Sequence, residues 1–241
     1  MALVSANLLT IVNRAEDELG LSRSTGITGT PTEQARQMLG LINSLGADLL
    51  DSHDWSALTT LGTVTTVAGQ AAYDLPADYR SLVDGTPYDV SRRWPVDGPT
   101  SPRDATALRA GSASAPGVQR FRVVRGQLGL WPAPSASGSQ VTYEYQSGSW
   151  VRTTAGVAVG SVYVADTDVT FWRTSLLVAG LKLKFLRARG FDTSYAQEDY
   201  DRIRSRAISD DLGSRTISMA PSNSRHDDDG LGGVFVVLPA S

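Results

Sequence analysis

Two imidazoles are available for chemistry in this chain, His53 and His226, and there is no thiol. His53 stands in the run His53-Asp54-Trp55 at the end of a helical pattern, where capping or packing outweighs catalysis. His226 opens His226-Asp227-Asp228-Asp229-Gly230, which has the look of a cation loop. Such a loop needs alternating acids, a glycine and a distal Glu. Consecutive acids without that Glu read as a solvated linker. Asp166-Thr167-Asp168 resembles the short acidic pair that holds a metal in some transferases. It falls where a strand pattern gives way to a helical one, and capping and the helix dipole both favour acids there. The helix cap is therefore the preferred reading. No phosphate loop, dinucleotide fingerprint or nucleophile elbow occurs. The expectation is a non-enzymatic protein with no cofactor and no metal.

The remaining charge is just as undirected. The formal net charge is -3 and both signs are mixed along the chain, unlike a dedicated nucleic-acid binder. Lys182, Lys184, Arg187 and Arg189 form the one basic cluster. Cations belong near a helix C-terminus, where they complement the dipole. Contact with DNA is the sharper alternative, though no interleaved aromatics of the kind that stack bases accompany it. The absence of cysteine excludes a disulfide framework and suits a reducing compartment. The longest apolar helical run, Leu176-Leu177-Val178-Ala179-Gly180-Leu181, is far short of the ~20 residues that cross a bilayer. Met1-Ala2-Leu3-Val4-Ser5 lacks the charged region of a signal peptide. A soluble product made in the cytoplasm is expected, with no membrane partner.

Helices dominate both ends. Leu8, Val12, Ala15 and Leu19 make one apolar stripe over residues 5–21, with Glu16, Asp17 and Glu18 at its edge. Thr30, Pro31 and Glu33 predict a capping box for a second helix whose stripe is Ala35, Met38, Leu39, Ile42, Leu45 and Leu49. Between residues 58 and 164 the period changes. Thr63-Val64-Thr65-Thr66-Val67 reads as a strand that turns at Ala68-Gly69-Gln70 into a return segment ending at Tyr73, Leu75 and Pro76. Phe121 to Val124 and Leu128 to Trp131 flank Arg125-Gly126-Gln127 as a hairpin. Val141-Thr142-Tyr143-Glu144-Tyr145 alternates as a half-buried strand. Val157, Val159 and Val162-Tyr163-Val164 suggest more strands, and a short helix is expected near residues 102–109. Trp172, Leu176, Ala179, Leu183 and Leu186 then share a helical face that Gly190 stops. Ser194 with Gln197 predicts another capping box for a helix reaching residue 212, with Tyr200, Ile203 and Ala207 as its stripe. Glu198–Arg202 and Arg206–Asp210 are candidate i,i+4 pairs on it.

A lone helix hairpin cannot hide its apolar stripes, and one stands at each end of the chain. Packing them together predicts an α+β fold, a four-helix unit made by the N- and C-terminal helix pairs, with an inserted antiparallel β-rich domain. The expected division is 1–57 and 168–212 for the helical domain, 58–167 for the insertion and 213–241 for a C-terminal tail. Residues 214–233 are rich in Ser, Gly and Asp and poor in large apolar side chains, so they cannot offset their ordering entropy. Val234, Phe235, Val236, Val237 and Leu238 then form an apolar run of high β propensity. Left exposed it would aggregate, so it is expected to be covered by a partner through strand addition or insertion in a groove. Folding back onto the subunit's own β region is the rival.

The order of these parts carries a family resemblance. Trp55 closes the second helix. Gly69-Gln70, Tyr73 and Leu75-Pro76-Ala77-Asp78-Tyr79 follow, then Trp131-Pro132-Ala133-Pro134, the strand Thr142-Tyr143-Glu144-Tyr145 and the second helix pair. Over residues 5–212 this resembles the head-to-tail adaptor proteins of tailed bacteriophages. The resemblance implies a structural virion protein forming a ring, a dodecamer matching the portal, that joins capsid to tail. Portal protein, a tail or nozzle protein and other copies of itself are the implied partners, with double-stranded DNA passing without specific binding. It also implies that the C-terminal run, residues 234–238, binds the portal. Another tail-completion or baseplate component, or a carbohydrate-binding protein, stands as the alternative.

Overall fold

The computed structural model describes residues 6–29, 31–109 and 119–212. Helix α1 (Leu8–Leu19) is followed by α2 (Glu33–Ser52) and a short 3-10 turn (Ser56–Leu58). Strands β1 (Thr59–Thr65), β2 (Ala72–Asp74), β3 (Tyr79–Leu82), β4 (Tyr88–Asp89) and β5 (Trp94–Pro95) come next. Helix α3 (Pro102–Arg109) precedes β6 (Arg120–Val124), β7 (Gln127–Trp131) and β8 (Gln140–Ser147). Short strands β9 (Val151–Arg152), β10 (Ala158–Gly160) and β11 (Val169–Thr170) lead to α4 (Thr174–Arg189) and α5 (Ser194–Leu212). All strand pairs in the sheets are antiparallel, so the α+β class expected from the periods holds. The run 234–238 and His226 lie outside the described residues.

Helix α4 is the centre of the helical part and packs against α1, α2 and α5. Its residues from Leu176 to Leu181 are buried all round, as a helix with neighbours on three sides requires. One hydrophobic cluster collects Leu8, Ile11 and Val12 of α1, Met38, Ile42 and Leu49 of α2, Leu177 and Leu181 of α4, and Ala207 of α5. Tyr200 and Ile203 pack against it from α5. A second, separate cluster fills the β region, built on Val141, Tyr143 and Tyr145 of β8 with Phe121, Leu128 and Leu130. Trp150 follows β8 closely yet belongs to the helical cluster, where it lies over Gly46 of α2. A Cβ at Gly46 would stand 2.1 Å from the Trp150 ring, so only glycine allows this approach.

Several local expectations shift. Helix α2 begins at Glu33 under Thr32, whose hydroxyl accepts from Ala35 N at 3.2 Å. Thr30, the cap expected from the sequence, lies outside the described residues, and Pro31 precedes the helix. The return from β1 is not a hairpin. β1 pairs with β8 in unbroken register, while β2 pairs with β7. The Tyr73 hydroxyl donates to Gln70 O at 2.9 Å and accepts from Val67 N at 3.0 Å, gathering the intervening residues into a loop around it. The Arg125–Gly126 hairpin does form, with φ of 54° and 73° at its two turn residues, the positive pair a tight turn between twisted strands demands. Val162-Tyr163-Val164 is not a strand. Its amides are spent on side chains, Tyr163 N on Asn43 Oδ1 and Val164 N on Asp168 Oδ2. At the start of α5, Ser194 donates to Asp192 instead of capping Gln197. Arg202 pairs with Asp199 and Asp210 with Arg173, in place of the two i,i+4 pairs.

Candidate functional site

The acidic pair proves to be a clasp. Asp166 lies well before Thr174 and caps no part of α4; Arg173 precedes that helix without a side-chain cap. The Asp166 carboxylate instead accepts from the amides of Ile27 and Thr28 and from the Thr28 hydroxyl, at 2.9 to 3.2 Å. Asp168 is buried and accepts from Val164 N at 2.9 Å and Ala165 N at 2.7 Å. The two backbone carbonyls receive Leu9 N and Leu8 N, opening donors of α1 that have no partner within that helix. The expected cap is therefore replaced by a loop that fastens the start of another helix. Among the described residues no group of three or more His, Asp or Glu side chains could hold a metal ion.

His53 is a packing residue, as its position suggested. It terminates α2, meets Trp55 edge-on at 5.0 Å between ring centroids, and bonds through Nε2 to Asp211 Oδ2 at 3.1 Å. Asp211 also accepts from Ser56 N at 3.0 Å and from the Ser56 hydroxyl at 2.6 Å. The end of α5 is thus pinned to the foot of β1.

Beside this pin lies a cleft of about 350 Å³. Trp55, Phe171, Trp172 and Leu176 form its apolar wall, and Arg173 and Asp210, bonded at 2.7 Å, stand on its rim. Trp172 packs edge-on to Trp55 and against Phe171 at 4.8 Å. Ser56 and Asp211 of the pin line the same cleft.

The basic cluster is not gathered into a patch. Lys182 bonds Glu18 of α1 at 2.7 Å, and Lys184 bonds Asp48 of α2 at 2.6 Å and Ser44 at 2.8 Å. Arg187 reaches Gln197 of α5, while Arg189 bonds Gln37 of α2 at 3.1 Å and covers the Phe185 ring. Each of the four ties α4 to another helix. Glu16, placed by the sequence at the edge of the apolar stripe of α1, is fully buried and accepts from Ser24 N, Ser24 Oγ and Gln34 Nε2.

Sequence reasoning missed Asp211 and Glu16. A signal for the first existed, since acids in the last turn of a helix oppose its dipole and persist where a partner holds them. Glu16 carried no such mark, because its partners lie across a loop.

No curated protein matches the chain. The family model described as SU10 adaptor protein matches residues 6–225. It spans both helix pairs and every strand between them, so the chain belongs to the SU10 adaptor family, a head-to-tail adaptor family of tailed bacteriophages.

Proposed function

We propose that the protein is assembled in the host cytoplasm into a dodecameric ring beneath the portal, joins capsid to tail, and leaves a channel for DNA. The observation that carries this reading is the family match across residues 6–225. It is supported by the fate of the basic cluster. A conduit should not grip the polyanion moving through it, because phosphate contacts raise affinity by orders of magnitude. Here Lys182, Lys184, Arg187 and Arg189 are engaged within the subunit, and the formal charge is -3.

In this reading residues 1–57 and 168–212 form one helical domain, the four-helix unit that builds the ring. Residues 58–167 form the inserted β domain facing a tail or nozzle protein, and 213–241 form a docking arm. The apolar segment 234–238 binds the portal. Closure of a ring follows from a heterologous contact repeated by rotation, the arrangement that otherwise yields a filament.

Mass photometry of the protein with and without portal tests the assembly. Discrete rings of portal stoichiometry are expected on mixing. A particle that stays monomeric beside the portal, or a reconstruction without imposed symmetry showing fewer copies, refutes it. Removal of residues 230–241 should leave the helical circular dichroism unchanged and weaken portal attachment.

A further inference from the structure

An outer strand of a sheet will pair with any suitable extended segment, and proteins blunt such edges with charge, proline, bulges or brevity. Among the described residues, the outer strands carry these devices with one exception. β5 is two residues long and contains Pro95, β2 has three residues and β11 has two. The registers of β3 and β10 are interrupted. β6 bears Arg120 and Arg122 and is crossed by Asp97, whose carbonyl accepts from Phe121 N at 2.8 Å.

β1 has none of these. Its seven residues, Thr-Thr-Leu-Gly-Thr-Val-Thr, include no charge and no proline. Its register with β8 runs unbroken from Thr59 to Thr65. It ends the strand order, and among the described residues its partner in the sheet is β8 alone. Leu61 on this strand is 66% exposed.

The end of α5 supplies the second observation. Asp211 is bonded to the amide and hydroxyl of Ser56, which opens the turn leading into β1. The chain therefore leaves the described fold, at Leu212, beside the foot of this open edge. Residues 213–241 follow, and they end in the one apolar, β-prone run that needs a cover. The intervening residues 213–233 reach roughly 70 Å at full extension, against about 20 Å for the length of β1.

We propose that in the isolated subunit residues 234–238 pair, as an added strand, with the open edge of β1 of the same chain. Strand addition matches main-chain donors to main-chain acceptors and covers Leu61 and the apolar run together. The tether holds the segment at an effective concentration on the order of a millimolar, which the arm of another copy cannot match at micromolar protein. Pro239 ends the added strand, since it has no amide to donate. Portal docking is then an exchange in which the segment leaves its own edge for the portal. Storage on β1 is separate from that step and holds whether or not the portal is the final acceptor.

Because the chain has no cysteine, paired substitutions report the contact directly. Leu61→Cys, Thr63→Cys or Thr65→Cys is combined with Val236→Cys in the full chain and mildly oxidised at micromolar concentration. In at least one pair most molecules should form a disulfide at monomer mass. Tyr195→Cys with Val236→Cys, a position 83% exposed on α5, is the control and should stay reduced. No cross-link above this control overturns the proposal, and a cross-link found in dimers assigns the edge to another copy and overturns it equally. Hydrogen exchange gives an independent reading: Val236→Pro in the full chain should speed exchange within residues 59–65 at least about tenfold. Unchanged exchange contradicts the pairing.

Discussion

Asp168 holds its place through backbone donors, and that decides what its removal does. Asp168→Ala leaves Val164 N and Ala165 N without the carboxylate that accepts from them, in a part-buried loop. A hydrogen bond to a charged acceptor is worth more than a neutral one, and this carboxylate accepts two, so a loss of about 2 kcal/mol is expected. Urea denaturation checks it: the midpoint should fall while the slope stays the same. Asp168→Asn keeps an acceptor oxygen and should lose less. A midpoint unmoved by Asp168→Ala would show that the clasp is not formed. Asp211 differs in kind. It joins three groups, His53, Ser56 N and Ser56 Oγ, from one position at a helix end where its charge opposes the dipole.

At the scale of elements, the closest fit is between α2 and the segment after β8. Gly46→Ala places a methyl group inside the Trp150 ring, and overpacking of this kind costs about 3 kcal/mol. The measurement is the thermal midpoint followed by tryptophan fluorescence, and a variant as stable as the parent would contradict the packing. Helix existence was legible because periods of apolar residues survive in the sequence, as α1, α2, α4 and the stripe Tyr200, Ile203 and Ala207 of α5 show. The hairpin at Arg125 and Gly126 was legible because its partners are adjacent in the chain. Pairing of β1 with β8 was not, since Val64 and Val141 meet across a separation that no local pattern encodes. The clasp of Asp166 and Asp168 was invisible for the same reason: its donors at Ile27 and Thr28 lie near the other end of the chain. The basic cluster was seen as a cluster, but the acids that split it belong to α1 and α2.

Over the whole molecule, the two cores share a vulnerability to alkali. Burial, aided by the Asp78 carboxylate, pushes the Tyr145 hydroxyl up to about 12. Burial also raises Tyr143 in the β cluster and Tyr163 in the helical one. The folded state thus prefers the neutral phenol more than the unfolded chain does, whose tyrosines ionise near 10. This stabilisation is complete below pH ~10 and is lost as pH rises through the folded value. The tyrosinate absorbance due to Tyr143, Tyr145 and Tyr163 should accordingly appear late and together with loss of structure. Ionisation of these three near 10 without unfolding would contradict it. The two cores are also joined in a particular way. β1 and β8 lie side by side, β1 directly follows Leu58, and β8 runs within a few residues of Trp150, both residues of the helical core. Arg80 of β3 adds bonds to Asp51 and Asp54 at the end of α2. Such a joint has little slack for bending or twisting, so a load applied to the sheet is delivered into the helices as torque instead of being absorbed at a hinge.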